Sequence, residues 1–339
     1  MILYCNLYLA SKYKYMSRFL LYTLPFLLLF MQCKPYQETY IPKDQITYEK
    51  FRTEQKSFTS EDGTLKYIDT GEGPVIVLLH GVPTSGWLYR KMIAPLVKSG
   101  YRVIVPDMLG YGSSDSPEGY EIYDNQNHAK RLIALMDSLQ VTNWNHVMHD
   151  AGGLWTWEVF QQAPGRIEKL ALLNTIVYEE GFHPPVTFKP GFIAKTAMWM
   201  YSNGITTNML LKKLFQKGLS KNTLNEPDVE GYKVPLREKK TKGMYYFFTQ
   251  TCNEFPDYST TFEEIDIPVS VIWGIHDDML QWSPQQEKII KSFSIPEENI
   301  HLLSEKHFIQ ETKSKEITKH LISFFDKEQD SIKTDSASR

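Results

Sequence analysis

The sequence predicts an α/β protein: a mostly parallel central sheet with helices on both faces, and a helical cap inserted between two of its strands. Three observations carry this. Apolar runs of strand length alternate with helical stretches over residues 61–176 and again over 262–326. Several runs, such as 75–79 and 102–106, are apolar throughout, the mark of strands buried on both faces. Between the two stretches, residues 177–261 hold aromatic, helix-compatible segments and Gly/Pro turns but no strand pattern. Strands alternating with helices build a largely parallel sheet. An insertion between two strands then covers the carboxyl edge of that sheet, where ligands bind in open α/β folds.

The elements follow in order. In residues 1–33, Lys12, Lys14 and Arg18 precede a short apolar run that ends at Cys33. A basic stretch before such a run is the pattern of a secretory signal. The run is shorter than the ~20 residues of a spanning helix, and Pro25 interrupts it. With Cys33 at its end and polar sequence after it, the segment resembles a bacterial lipoprotein signal. That implies export and anchoring in a membrane through a lipid on Cys33, with Met16 as an alternative start. An uncleaved anchor or a plainly cleaved signal are the alternatives. Residues 34–60 are polar, contain Pro35 and Pro42, and read as a tether.

The first strand is expected at 64–69, a turn at 71–74 and a buried strand at 75–79. A helix over 88–98, a strand at 102–106 and a helix near 125–139 follow. A strand ending at Asp150 leads into a helix at 154–162 and a strand at 170–174. The cap offers helices at 192–201, 208–217 and 240–250. Strands at 268–274 and 300–303, with helices at 284–293 and 313–325, complete the sheet, and the polar tail 327–339 is expected to be disordered.

Composition sets limits. At 339 residues, 42% hydrophobic and 23% charged, the chain suits one large globular domain with an insertion. A net charge of −3 gives no reason to expect nucleic acid. The nine histidines show no zinc-ligand spacing, and neither a metal nor a cofactor is expected. Once residues 1–33 are removed or lipidated, Cys252 is left as a lone thiol, so no intramolecular disulfide is expected.

The chemistry centres on Val147-Met148-His149-Asp150-Ala151-Gly152-Gly153. A strand, a sharp turn with an acid at its apex, then small residues and a helix make the layout of a nucleophile elbow. Taken alone, Asp150 reads first as a loop acid capping the next helix, and only its partners favour the catalytic reading. As a nucleophile it needs no activating base, since a carboxylate is ionised at neutral pH. Its partners lie downstream in the order nucleophile, acid, histidine. Asp277 follows the strand at 268–274, with Asp278 as its neighbouring competitor, and His307 follows the strand at 300–303. Each of the three sits at the carboxyl end of an expected strand. The loop His80-Gly81-Val82-Pro83-Thr84 is placed to supply an oxyanion hole from the backbone N–H groups of Val82 and Ala151, with His80 tying the loop.

Several stretches together resemble the haloalkane dehalogenases and epoxide hydrolases, the Asp-nucleophile branch of the α/β-hydrolase fold. They are Leu78-Leu79-His80-Gly81-Val82-Pro83-Thr84-Ser85, Leu88-Tyr89-Arg90-Lys91-Met92-Ile93, and 105–115 with Asp107 and Gly112. His149-Asp150-Ala151-Gly152-Gly153 and His307-Phe308-Ile309-Gln310-Glu311 complete the set. The resemblance covers about residues 61–326. It implies a hydrolase acting on a small apolar substrate and water in two steps. Asp150 forms a covalent ester, and His307, oriented by Asp277, then activates the water that cleaves it. The family's dehalogenases hold the halide with N–H donors, one of them a Trp directly after the nucleophile. Here that residue is Ala151, and only Trp199 in the cap remains as a pocket donor. The epoxide hydrolases use two cap tyrosines, for which Tyr246 and Tyr201 are the candidates. Phe247 stands where the family motif has Arg, and Met148 where the elbow has a small residue. The resemblance therefore favours epoxide chemistry. The alternatives are a dehalogenase, an esterase-like hydrolase, or a binding or scaffold protein that keeps the fold without the reaction.

Overall fold

The computed structural model describes residues 45–221 and 224–326. Residues 1–33 with Cys33, the first part of the expected tether and the tail 327–339 lie outside the described residues.

The sheet has eight strands in the order β1-β2-β4-β3-β5-β6-β7-β8. They are β1 Lys56–Ser60, β2 Gly63–Thr70, β3 Val75–Leu79, β4 Arg102–Asp107, β5 Trp144–Asp150, β6 Ile167–Thr175, β7 Val269–Gly274 and β8 Ile300–Leu303. β1 and β2 form an antiparallel hairpin, β2 runs antiparallel to β4, and the remaining pairings are parallel. Every residue of β5 and β7 is buried, which is why these strands show no polar alternation. From β3 the chain passes to β4 on one side, then returns to lay β5 on the other. The loops leaving β3 and β5 diverge at this switch point and open a crevice at the carboxyl edge.

The expected tether is shorter than its composition suggested. Residues 34–60 read as a polar linker, yet α1 (Tyr48–Glu54) and β1 are folded parts of the body. The two apolar anchors of α1, Tyr48 and Phe51, are buried edge-on against Trp87, with ring centroids 5.4 and 5.3 Å away. A polar helix that buries only one i, i+3 pair leaves little periodic signal. The remaining core helices are α2 (Arg90–Lys98), α3 (Asn125–Ser138) and α4 (Gly152–Gln162).

Four helices form the cap: α5 (Phe192–Ser202), α6 (Gly204–Gly218), α7 (Glu226–Arg237) and α8 (Lys242–Tyr246). α8 widens into a π turn at Phe247–Thr251. The sequence hid α7 behind Pro227, Gly231 and Pro235. Pro227 falls in the first turn, where proline is tolerated, after an Asn225/Asp228 capping box. Gly231 lies flat on Trp87, and a Cβ there would come within 2.3 Å of the indole. The cap boundary at 261 falls inside α9 (Ser259–Glu264). That helix leans on α4, where Gln161 Nε2 donates to Thr261 Oγ1 at 2.8 Å. Behind the cap, α10 (Gln286–Ser292) and α11 (Ile309–Asp326), kinked at Lys313, finish the core.

A buried ionic cluster fixes the cap to the core. Arg90 of α2 reaches Asp228 of α7 at 2.6 Å and Glu311 of α11 at 2.6 and 2.8 Å. Lys91 adds a contact to Glu311 at 2.7 Å, and the Tyr232 hydroxyl donates to the same carboxylate. Burial pushes Glu311 up, but Arg90 and Lys91 outweigh it and hold the carboxyl below its ordinary value.

Candidate active site

β5 ends on Asp150, whose φ of 53° lies in the left-handed region. A non-glycine residue held there costs roughly 1–3 kcal/mol and persists only where its surroundings impose it. Close backbone approach imposes it here. A Cβ on Gly81 would stand 2.4 Å from Cβ of Asp150, and one on Gly153 would stand 2.4 Å from Oγ1 of Thr175. Met148 does not disturb the turn. It is fully buried within β5.

The backbone N–H of Val82 donates to Asp150 Oδ1 at 2.6 Å, and the N–H of Ala151 also bonds the carboxylate. The Val82 loop is tied by His80. Its Nδ1 donates to the Gly81 carbonyl at 2.8 Å, and its Nε2 accepts from the N–H of Met108 at 3.0 Å. Burial drives the His80 pKa down to about 4, so the ring stays neutral in this role.

His307 faces both acids. Its Nδ1 lies 2.8 Å from Asp277 Oδ2, and its Nε2 lies 3.7 Å from Asp150 Oδ2, too far for a direct hydrogen bond. Asp277 is buried and fully bonded. Oδ1 accepts from the N–H groups of Met279 and Leu280 at 2.9 and 3.1 Å, and Oδ2 also accepts from Asn174 Nδ2 at 2.9 Å. Asp278 is exposed and takes no part. Burial would raise Asp277, but His307 and these donors hold it below the usual carboxylate range. Burial works against a charged His307, yet Asp277 and then Asp150 outweigh it and raise the imidazole above its ordinary value. For Asp150 burial dominates and pushes the carboxyl up, with His307 and the two N–H donors pulling back.

Asp150 and His307 open onto a cavity of about 40 Å³. Its walls are apolar: Val82, Pro83, Phe182, Leu214, Phe247, Phe248, Met279, Leu280 and Phe308 are among them. Tyr201 supplies the one hydroxyl in the lining, and burial alone raises its pKa. A larger open groove of about 510 Å³, lined by Phe51, Ile68, Ile93 and Val97, holds no nucleophile and base pair.

Two expected site residues lie elsewhere. Trp199 is 60% exposed on the outer face of α5 and does not line the cavity. Tyr246 packs against Leu65, Leu109 and Tyr123, while Phe247, one residue later, faces the cavity. Neighbouring residues on a helix point about 100° apart, so the two rings cannot share a face. The neighbouring Tyr245 accepts from the N–H of Gly191 at 3.0 Å and stacks on Tyr120. Of the two candidate cap tyrosines, only Tyr201 reaches the site.

Sequence reasoning also missed two groups that hold the triad in place. Asn174, next to last in β6, has φ 34°; it donates to Asp277 and accepts from the N–H of Gly274 at 2.8 Å. An Asn closing a predicted strand was its only signal, since Asn tolerates this conformation. His149 donates from Nε2 to the His307 carbonyl at 3.1 Å, linking the elbow to the loop of the base.

The family described as alpha/beta hydrolase fold matches residues 74–314. A haloalkane dehalogenase of Mycolicibacterium paratuberculosis is 28% identical over 275 residues, covering 77% of this chain and 87% of its own. A cis-3-alkyl-4-alkyloxetan-2-one decarboxylase of Shewanella oneidensis is 28% identical over 293 residues, covering 80% and 88%. The bifunctional epoxide hydrolase 2 of Mus musculus is 34% identical over 111 residues, 33% of this chain and 20% of its own. Among solved structures, an epoxide hydrolase of Vigna radiata matches with a TM-score of 0.66 at 22% identity, covering 81% of this chain and 99% of that one. That likeness shows a shared fold.

Proposed function

Since the chain belongs to the alpha/beta hydrolase fold family, we propose that it opens epoxides through a covalent ester on Asp150. Oδ2 faces the base and the cavity, while Oδ1 is held by backbone donors. Oδ2 therefore attacks a saturated ring carbon, the ring C–O bond breaks, and an ester forms. The departing alkoxide takes the proton of Tyr201. His307 Nε2 then removes a proton from a water molecule whose oxygen attacks Cγ of Asp150. Negative charge develops on Oδ1 between the N–H groups of Val82 and Ala151. The Cγ–Oδ2 bond breaks as the leaving oxygen takes the proton from His307, the diol departs with the original Oδ2, and the second proton of the water returns to Tyr201, which leaves Asp150 ionised.

The observation that carries the epoxide reading is the composition of the cavity wall. Apart from His307, Tyr201 is its single side-chain hydrogen-bond donor. A hydroxyl can protonate an alkoxide, whereas a halide in so dry a site needs several N–H donors. The second reading, haloalkane dehalogenation, is favoured by the length of the match to the mycobacterial enzyme.

One experiment separates them. The His307→Gln protein is incubated with a panel of epoxides, bromoalkanes and dialkyl oxetan-2-ones, and its intact mass is recorded. An ester adduct on Asp150 from an epoxide supports the proposal. An adduct from bromoalkanes alone, with halide release, replaces it with the dehalogenase. With no adduct from any member, the covalent reading fails. Asp150→Asn is expected to abolish turnover.

The location belongs to the same proposal. The basic stretch, apolar run and Cys33 support export and lipid anchoring, with residues between Cys33 and Ile46 as the tether. Radiolabelled lipid incorporation that survives in wild type and disappears in Cys33→Ser is the expected result. Equal labelling of both proteins contradicts it.

A further inference from the structure

We propose that the outer face of the cap, made by α5 and α6, docks on an anionic lipid bilayer. Five of the seven large hydrophobic side chains exposed among the described residues fall on these two adjacent helices. They are Phe192 (83% exposed), Ile193 (73%), Trp199 (60%), Ile205 (86%) and Met209 (46%). Phe192 and Trp199 are seven residues apart on α5, and Ile205 and Met209 are four apart on α6, so each pair shares one helical face. Scattered exposed apolar residues are ordinary, but a cluster on one element marks a contact surface.

The charge around the cluster selects the partner. From Gly181 to Asn225 the chain carries Lys189, Lys195, Lys212, Lys213, Lys217 and Lys221 and not one Asp or Glu. The whole protein is net −3, so this basic segment stands against an otherwise acidic molecule. Lys195 lies between Phe192 and Trp199 on α5, and Lys212 and Lys213 follow Met209 on α6; all three are exposed. Aromatic and aliphatic side chains flanked by lysines, with no acid, is the arrangement that inserts into the headgroup region of anionic lipid. A complementary protein groove would require fixed carboxylates opposite each lysine. A lipid surface supplies mobile negative charge and an apolar layer together.

The entry of the chain into the folded body agrees with this. α1 packs beside the cap: Arg52 pairs with Glu238, just past α7, at 2.7 Å, and Tyr48 and Phe51 contact Trp87, the ring on which Gly231 rests. Tyr201 and Leu214 sit on the inner sides of the same two helices and wall the cavity. A docked cap therefore places the apolar cavity directly behind the lipid surface.

The test uses the full chain with vesicles of neutral phosphatidylcholine, with or without phosphatidylglycerol, each containing brominated lipid as a tryptophan quencher. The signal is the quenching lost when Trp199→Phe replaces wild type, so the N-terminal segment does not contribute. Quenching of Trp199 is expected in the anionic vesicles, several-fold weaker in the neutral ones, and suppressed by salt. Lys212→Gln/Lys213→Gln is expected to weaken it about thirtyfold, at roughly 1 kcal/mol for each lysine near the surface. Trp199 equally unquenched in both vesicle types overturns the proposal. Concentration-dependent self-association that vanishes in Ile193→Ser/Ile205→Ser, with no lipid quenching, also overturns it and makes the face a contact between copies of the chain.

Discussion

The N–H of Val82 donates to Oδ1 of Asp150 at 2.6 Å, so one oxygen of the carboxylate already occupies the site where charge would develop. In the proposed mechanism that leaves Oδ2 as the attacking atom. The relationship depends on Gly81, where a Cβ would stand 2.4 Å from the Asp150 side chain and 2.6 Å from the nitrogen of Ala151. Gly81→Ala is expected to destabilise the fold by about 1–3 kcal/mol, the usual cost of overpacking. Activity should fall further than the fraction folded, which denaturation curves set beside turnover will show.

His307 must be neutral to take a proton from water. Asp277 and Asp150 raise its pKa, so kcat/KM is expected to fall with decreasing pH through a value above that of a free imidazole. In the ester intermediate Asp150 has lost its charge, so the pull it adds is gone. The acid limb of kcat, where ester hydrolysis limits the rate, should then lie at lower pH than the limb of kcat/KM. Asp277→Asn removes the larger pull, and should shift both limbs down and cost on the order of 10⁴ in rate. A pH–rate profile of the two proteins checks the direction.

Tyr201 and Tyr246 separate by position. Tyr201→Phe removes the one hydroxyl of the cavity and should lower the rate of ester formation from an epoxide by about 10²-fold or more. Tyr246→Phe alters a side chain packed away from the cavity and should leave the rate unchanged. Burst amplitudes under single-turnover conditions read this step directly. Equal losses for both variants would contradict the assignment.

The ionic cluster predicts a stability effect remote from the chemistry. Arg90→Met leaves Asp228 and Glu311 buried with Lys91 as the one cation of the cluster that remains. Losing one partner of a buried pair costs about 3–5 kcal/mol, which urea denaturation will register. Adding Glu311→Leu should recover part of it.

How far the sequence could be read follows from the kind of signal each residue leaves. Asp150, Asp277 and His307 sit at strand ends, and apolar runs mark strand ends well, so all three were legible and the structure brings them together. Within the cap, helical faces depend on packing. Trp199 and Tyr201 are two residues apart on α5, and no periodicity shows that one faces solvent and the other the cavity. Tyr246 and Phe247 are neighbours on one helix and point about 100° apart, so only packing decides which of them faces the cavity. Asn174 acts through a left-handed backbone and a contact to β7, neither of which its neighbours in sequence announce. α1 and α7 hid for opposite reasons: one buries too little to show a period, the other carries glycine and prolines that only Trp87 and the capping box explain.

The central claim is that the oxygen added to the product comes from Asp150, whose carboxylate is refilled from water. Turnover in heavy-oxygen water of an epoxide from the panel, followed by mass analysis of the peptide bearing Asp150, tests it. The account predicts that the peptide gains heavy oxygen and that the diol of the first turnover carries light oxygen from Oδ2. A peptide that stays light while the first diol is already labelled would mean direct attack by water, and would contradict it.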